Sequence, residues 1–139
     1  MVAFAPTMEP RVSFITLGVS NLERSVRFYD KVFGFPRLPS TPAIAFFELG
    51  RTWLALYPRE HLAADVGVPS ESNGFPGFTL AHNVSSKEEV DRVMAEVEAA
   101  GARVVKKAVT AVWGGYSGYV ADPDNFFWEI AYNPQFLHT

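Results

Sequence analysis

Glu129 is the residue of this chain whose setting most suggests chemistry. It stands between Trp128 and Ile130, two residues from Phe127 and Ala131. An ionisable group in so apolar a run either reaches a polar surface or is kept for a purpose, because burying it unpartnered is costly. In that setting a carboxylate serves as a general acid or base. The other reactive types are scattered. His61, His82 and His138 lie far apart in the chain, and an isolated histidine is more often structural or solvated than a ligand. Cysteine is absent, which removes thiolate metal sites, disulfides and cysteine nucleophiles together. No Ser/His/Asp order suggests a nucleophile. The glycine-rich Trp113-Gly-Gly-Tyr-Ser-Gly118 precedes a strand and not a helix, so it is no phosphate loop and reads as a flexible rim.

The element that must position Glu129 is a β-hairpin. Two apolar, aromatic-rich runs flank Asp122-Pro123-Asp124-Asn125, where Pro123 sets the first corner and Asn125 tolerates a left-handed backbone. Parity along the second run puts Glu129 with Phe127 and Ala131, opposite Trp128 and Ile130.

Earlier in the chain, residues 11–19 alternate as a strand, with Phe14 and Thr16 on one face. Ser20 with Glu23 predicts a capping box that opens a helix, and Gly34 closes it. Strands are predicted at 36–41, 43–49 and 51–57. Residues 58–77 mix Pro, Gly, Ser and Asn around one short helix at 61–66, and read as a connection that could cover a site. The pattern then recurs: a strand at 78–84, a capping box at Ser85 or Ser86, a helix ending at Gly101, and strands near 103–111, 116–121 and 126–132. Val19-Ser20 matches Val84-Ser85 at an offset of 85 − 20 = 65, and Trp53-Leu-Ala-Leu-Tyr57 matches Trp128-Glu-Ile-Ala-Tyr132 at 128 − 53 = 75. The expected organisation is an α+β fold of two tandem βαβββ modules, 11–58 and 77–134, joined by a linker at 59–76. Each module alone would leave one sheet face bare, so the sheets are expected to combine as a cupped, barrel-like mixed sheet with helices outside.

The whole-chain properties narrow the partners. Of 139 residues 48% are hydrophobic, enough for a substantial core, and a net charge of −3 disfavours nucleic acid or an anionic membrane surface. No apolar run is long enough to span a bilayer, and the N-terminal residues lack the basic start of a signal peptide, so a cytoplasmic protein is expected.

Tandem βαβββ modules with the opening Ile15-Thr-Leu-Gly-Val-Ser-Asn-Leu-Glu-Arg-Ser-Val-Arg-Phe-Tyr29 and a closing Tyr-x-x-Asp-Pro-Asp-x-x-x-x-Glu hairpin resemble the vicinal oxygen chelate superfamily, from Arg11 to Pro134. That group includes glyoxalase I, extradiol dioxygenases, bleomycin-binding proteins and fosfomycin-resistance enzymes. The resemblance places the metal-ligand positions of the metal-dependent branches on Phe14, Leu54, Thr79 and Glu129. Of these only Glu129 is a donor, and one carboxylate cannot hold a divalent transition metal. No metal or other cofactor is therefore expected. The implied cup is lined by Phe14, Thr16, Leu54, Leu56, Thr79, Ala81, Ser117, Tyr119, Phe127 and Glu129. Thr16 and Tyr119 match substrate-contacting positions of the fosfomycin-type enzymes. The expected function is binding of a small organic molecule in an apolar cup, of the sequestering or resistance type, by a homodimer. The alternatives are a lyase or isomerase using Glu129 as proton carrier, and a metal-dependent lactoylglutathione lyase or dioxygenase completed by a partner subunit or by His61 or Glu71.

Overall fold

The computed structural model describes residues 8–71, 74–135 and 138–139. The first module runs β1 (Phe14–Val19), α1 (Leu22–Arg27), a π-helical turn continuing it (Phe28–Val32), β2 (Arg37–Leu38), β3 (Ala45–Leu49) and β4 (Thr52–Pro58). A connecting helix α2 (Arg59–Val66) follows, then β5 (Leu80–Asn83), α3 (Lys87–Ala100), β6 (Arg103–Thr110), β7 (Tyr116–Ala121) and β8 (Phe127–Tyr132). The strands form two separate four-stranded mixed sheets, ordered β1-β4-β3-β2 and β5-β8-β7-β6. In each, the first and last strands of the module run parallel and the remaining pairs are antiparallel. The α+β architecture is thus the expected one, as two cups and not a closed barrel.

Local chemistry explains the boundaries. Pro36 and Pro39 flank β2, and the missing N–H groups hold that strand to two residues. Asn21, not Ser20, caps α1: its side chain accepts from the Arg24 amide at 3.0 Å. Ser86 caps α3 in the same way through the Glu89 amide at 3.1 Å. The hairpin turn places Asn125 at φ 62, the left-handed corner that Asn accepts at little cost. Gly18 matters for a different reason. A β-carbon there would lie 3.2 Å from the Cα of Arg59, so the bare backbone of β1 lets α2 settle against it. Among the described residues no helix is long and apolar enough to cross a membrane.

The modules meet through their helix-side faces. Tyr29, fully buried in the π-helical turn, packs with Phe33 and Phe35 against Trp128 of β8. Its hydroxyl donates to Asp122 at 2.7 Å and accepts from the Trp128 indole at 3.1 Å. Burial, and then the neighbouring Asp122 charge, lifts the phenol well above its ordinary 10.0, so it stays a donor at neutral pH. Asp122 also accepts from the amides of Asp124 and Phe126. Asp124 in turn holds Ser20 and the buried Ser25. The Asp-Pro-Asp turn therefore pins the second module to the first helix of the other.

Candidate functional site

Strand register decides what faces the cup. In the second sheet Glu129 lies opposite Ala81 of β5 and Tyr119 of β7. Trp128 and Ile130, 5% and 3% exposed, take the helix side. Glu129 is half-buried on the opposite face, with Phe127 two residues before it. The Tyr119 phenol is raised above its ordinary 10.0, first by burial and then by the charge of Glu129 and the hydrogen bond to it. The pair is thus a carboxylate held beside a hydroxyl that keeps its proton. Thr79 immediately precedes β5 and is exposed. Phe127 stacks on Phe75 of the connecting segment, with ring centroids 6.3 Å apart.

The first sheet offers an aromatic wall. Phe14 pairs across β1–β4 with Trp53, and Thr16 with Ala55, while Phe46 of β3 also faces Ala55. The Phe14 ring lies edge-on to Phe46 and Trp53, at 5.8 Å from each. Phe14 remains 49% exposed and Thr16 half-buried.

Two expected cup residues belong elsewhere. Leu54 and Leu56 are each 0% exposed and pack in the helix-side core with Leu17 and Phe47. Register gives the cause. Thr16 opposes Ala55 as Ala81 opposes Glu129, and 16 + 65 = 81, so the counterpart of Glu129 is Ala55, at an offset of 129 − 55 = 74. A strand misaligned by one residue turns every side chain to the other face. The cup residues of β4 are therefore Trp53, Ala55 and Tyr57.

This changes the metal-ligand positions to Phe14, Ala55, Thr79 and Glu129, which still supply one carboxylate. Among the described residues no three His, Asp or Glu side chains gather as a metal site. A single carboxylate among these positions is too few donors to fit a transition metal. His82 lies behind the sheet, in a crevice of about 220 Å³ with Phe33, Phe35 and Trp128. The His61 ring packs edge-on against Tyr57 at 5.7 Å. His138 contributes its backbone carbonyl to Asn83.

The connecting segment adds residues that sequence reasoning passed over. A cavity of about 370 Å³ opens between β1 and this segment, lined by Thr16, Gly18, Arg59, Leu62, Ser70, Phe75, Phe78 and Phe126. Arg59 begins α2 and its Nε donates to the Ser70 carbonyl at 2.6 Å. Arg59 also borders an adjoining cavity lined by Asp124, Phe126 and Phe127. An arginine directly after a cup strand was the available signal.

Comparison with known proteins agrees with this architecture. The model of the Glyoxalase/Bleomycin resistance protein/Dioxygenase superfamily matches residues 11–130. A glyoxalase-related enzyme from Fulvimarina pelagi is 40% identical, with a TM-score of 0.82 over 91% of this chain and 90% of that one. The lactoylglutathione lyase of Agrobacterium tumefaciens is 25% identical, with a TM-score of 0.72 over 92% and 97%. The fosfomycin resistance protein FosX of Listeria monocytogenes is also 25% identical, with a TM-score of 0.71 over 91% and 95%.

Proposed function

The chain belongs to the Glyoxalase/Bleomycin resistance protein/Dioxygenase superfamily, and from that premise we propose that it binds a small organic molecule without a metal, for sequestration and not for turnover. The observation that carries this reading is the make-up of the cup faces. Phe14, Phe46 and Trp53 form an aromatic wall on one sheet, and a single carboxylate–phenol pair, Glu129 with Tyr119, sits on the other. Apolar walls with a few placed polar groups are what small-molecule sites require. The Phe14, Ala55, Thr79 and Glu129 set, with one donor, supports the metal-free reading.

The test is a thermal-shift screen of small aromatic and heteroaromatic compounds on the parent and on Glu129→Gln. The amide keeps the shape and loses the charge, so hits that contact the site should weaken about tenfold. The melting temperature without ligand should move by no more than about 4 °C. If the glutamine variant binds every hit as well as the parent, Glu129 has no part in the site.

A second reading follows from the Tyr119 phenol beside Glu129, an arrangement that suits proton transfer in a lyase or isomerase. Incubating the hits with protein and analysing them by mass spectrometry and NMR separates the readings. Turnover by the parent and not by Glu129→Gln selects the enzyme.

The working unit in this proposal is a homodimer. β1 and β5 are edge strands, and the cup-side Phe14 and Val109 are 49% and 50% exposed. Open edges and half-bare apolar faces are normally covered by another copy. Sedimentation equilibrium should give twice the chain mass at micromolar concentration; a monomer throughout contradicts the dimer.

A further inference from the structure

We infer that Phe75 determines which ligands the proposed site admits: its ring stands in the ligand's place, and a flat, uncharged aromatic molecule takes that place over. This deepens the proposed function, since it rests on the cup being a small-molecule site. Two cavities share Phe75 as a wall. The first, of about 370 Å³, reaches the cup face of the first sheet at Thr16 and Gly18. The second, of about 440 Å³, reaches the cup face of the second sheet at Phe127. Phe75, Pro76, Phe126 and Arg59 border both. The Phe75 ring lies nearly parallel to that of Phe127, with an interplanar angle of 19° and centroids 6.3 Å apart. It thus occupies a face that Phe127 would offer a ligand, two residues along the strand from Glu129. Arg59 and Asp124 line the second cavity with opposite charges, which favours an uncharged ligand over an anion or a cation.

Three features make the ring displaceable. It keeps 64% of its surface exposed, so lifting it from Phe127 uncovers little apolar area. Among the described residues Phe127 is the one ring it stacks on, and a single exposed stack is weak beside the burial of a core ring. Gly74 and Gly77 bracket the Phe75-Pro76 pair at φ 76 and 90, both in the left-handed region. No described atom lies within 4 Å of where a β-carbon would sit on either glycine. Pro76 has a fixed φ and holds Phe75 extended, so the pair moves as one piece between two permissive residues. Phe78 does the opposite: it packs on the buried Phe126 with centroids 5.8 Å apart and anchors the segment just before β5. With Phe75 lifted, the two cavities join across the cup faces. A flat aromatic ring on Phe127 then replaces the lost stack, whereas a saturated ring has no π-face to offer.

The test compares 2-naphthol, flat and uncharged at neutral pH, with decahydro-2-naphthol, the same skeleton saturated, by isothermal titration. The parent should bind 2-naphthol about threefold to tenfold tighter than the saturated probe. Phe75→Ala removes the competing ring and should tighten 2-naphthol by about threefold to tenfold more. In a Phe127→Leu background the same change should make no difference, because the two rings act through each other. Since Phe75 is largely exposed, the alanine variant should melt within about 4 °C of the parent. Weaker binding by Phe75→Ala makes the ring a ligand contact and not a competitor, and overturns the inference. Unchanged affinity overturns it too, as does a gain that persists in full without the Phe127 ring. Equal binding of the flat and saturated probes overturns the ligand class. Failure of both probes to bind parent and Phe75→Ala at millimolar concentration also overturns the inference. None of these outcomes touches the cup reading, which stands or falls on the Glu129 screen.

Discussion

Asp122→Ala should destabilise the protein by roughly 3–5 kcal/mol, because it strips the acceptor from two buried donors and one half-buried donor at once. The Tyr29 hydroxyl and the amides of Asp124 and Phe126 all donate to this carboxylate, at 2.7, 2.9 and 2.8 Å. Asp122 itself is 3% exposed. In a chain of this size the loss should lower the melting temperature by about 10 °C or more. A change of only a degree or two would show that the turn does not join the modules. The pH dependence carries a separate sign. Burial lifts the Asp122 carboxyl above its ordinary 3.8, outweighing the hydrogen bonds that pull it down. A carboxyl raised by folding binds its proton more tightly in the folded state. Its favourable contribution is therefore fully present below the ordinary value and lost as pH rises through the raised one. The stability of the parent relative to Asp122→Asn should accordingly shrink with rising pH across the mildly acidic range. A difference that grows over that range contradicts the assignment.

Leu54→Ala and Phe14→Ala should part company in stability although both positions belong to the β1–β4 pair. Leu54 is 0% exposed in the helix-side core, so truncation should cost about 2–5 kcal/mol. Phe14 is 49% exposed on the cup face, and its loss should cost roughly 1 kcal/mol while weakening aromatic ligands. Chemical denaturation of the two variants checks the register of β4 without any ligand. Equal costs would return Leu54 to the cup.

That register marks the limit of what the chain discloses by itself. The hairpin was legible, because Pro123 and Asn125 have backbone preferences that act locally. The helix starts were nearly so: a polar cap must lie just before the apolar stripe, and only the choice between Ser20 and Asn21 was off by one. β4 was different. Leu54, Ala55 and Leu56 are all buried, so the strand presents an unbroken apolar run with no alternation to show its faces. Matching Trp53 to Trp128 then looked natural, yet one ring lies on the cup side and the other behind it. Arg59 was hidden for a further reason. Its place above Gly18 depends on how the connecting segment returns across the sheet, and no periodicity encodes that path.

The bond set around the Asp-Pro-Asp turn makes the two halves non-interchangeable. The caps Asn21 and Ser86 stand 65 residues apart, and the same step carries Ser25 to Val90 and Tyr29 to Met94. All four of those side chains are buried, but only Ser25 and Tyr29 of the first half are polar, and they meet Asp124 and Asp122. A chain built from two copies of the first half would carry the hydroxyls without the carboxylates; two copies of the second would carry the carboxylates facing valine and methionine. The halves are lock and key to each other. Expressed as separate fragments, they should associate as an unlike pair in preference to either like pair.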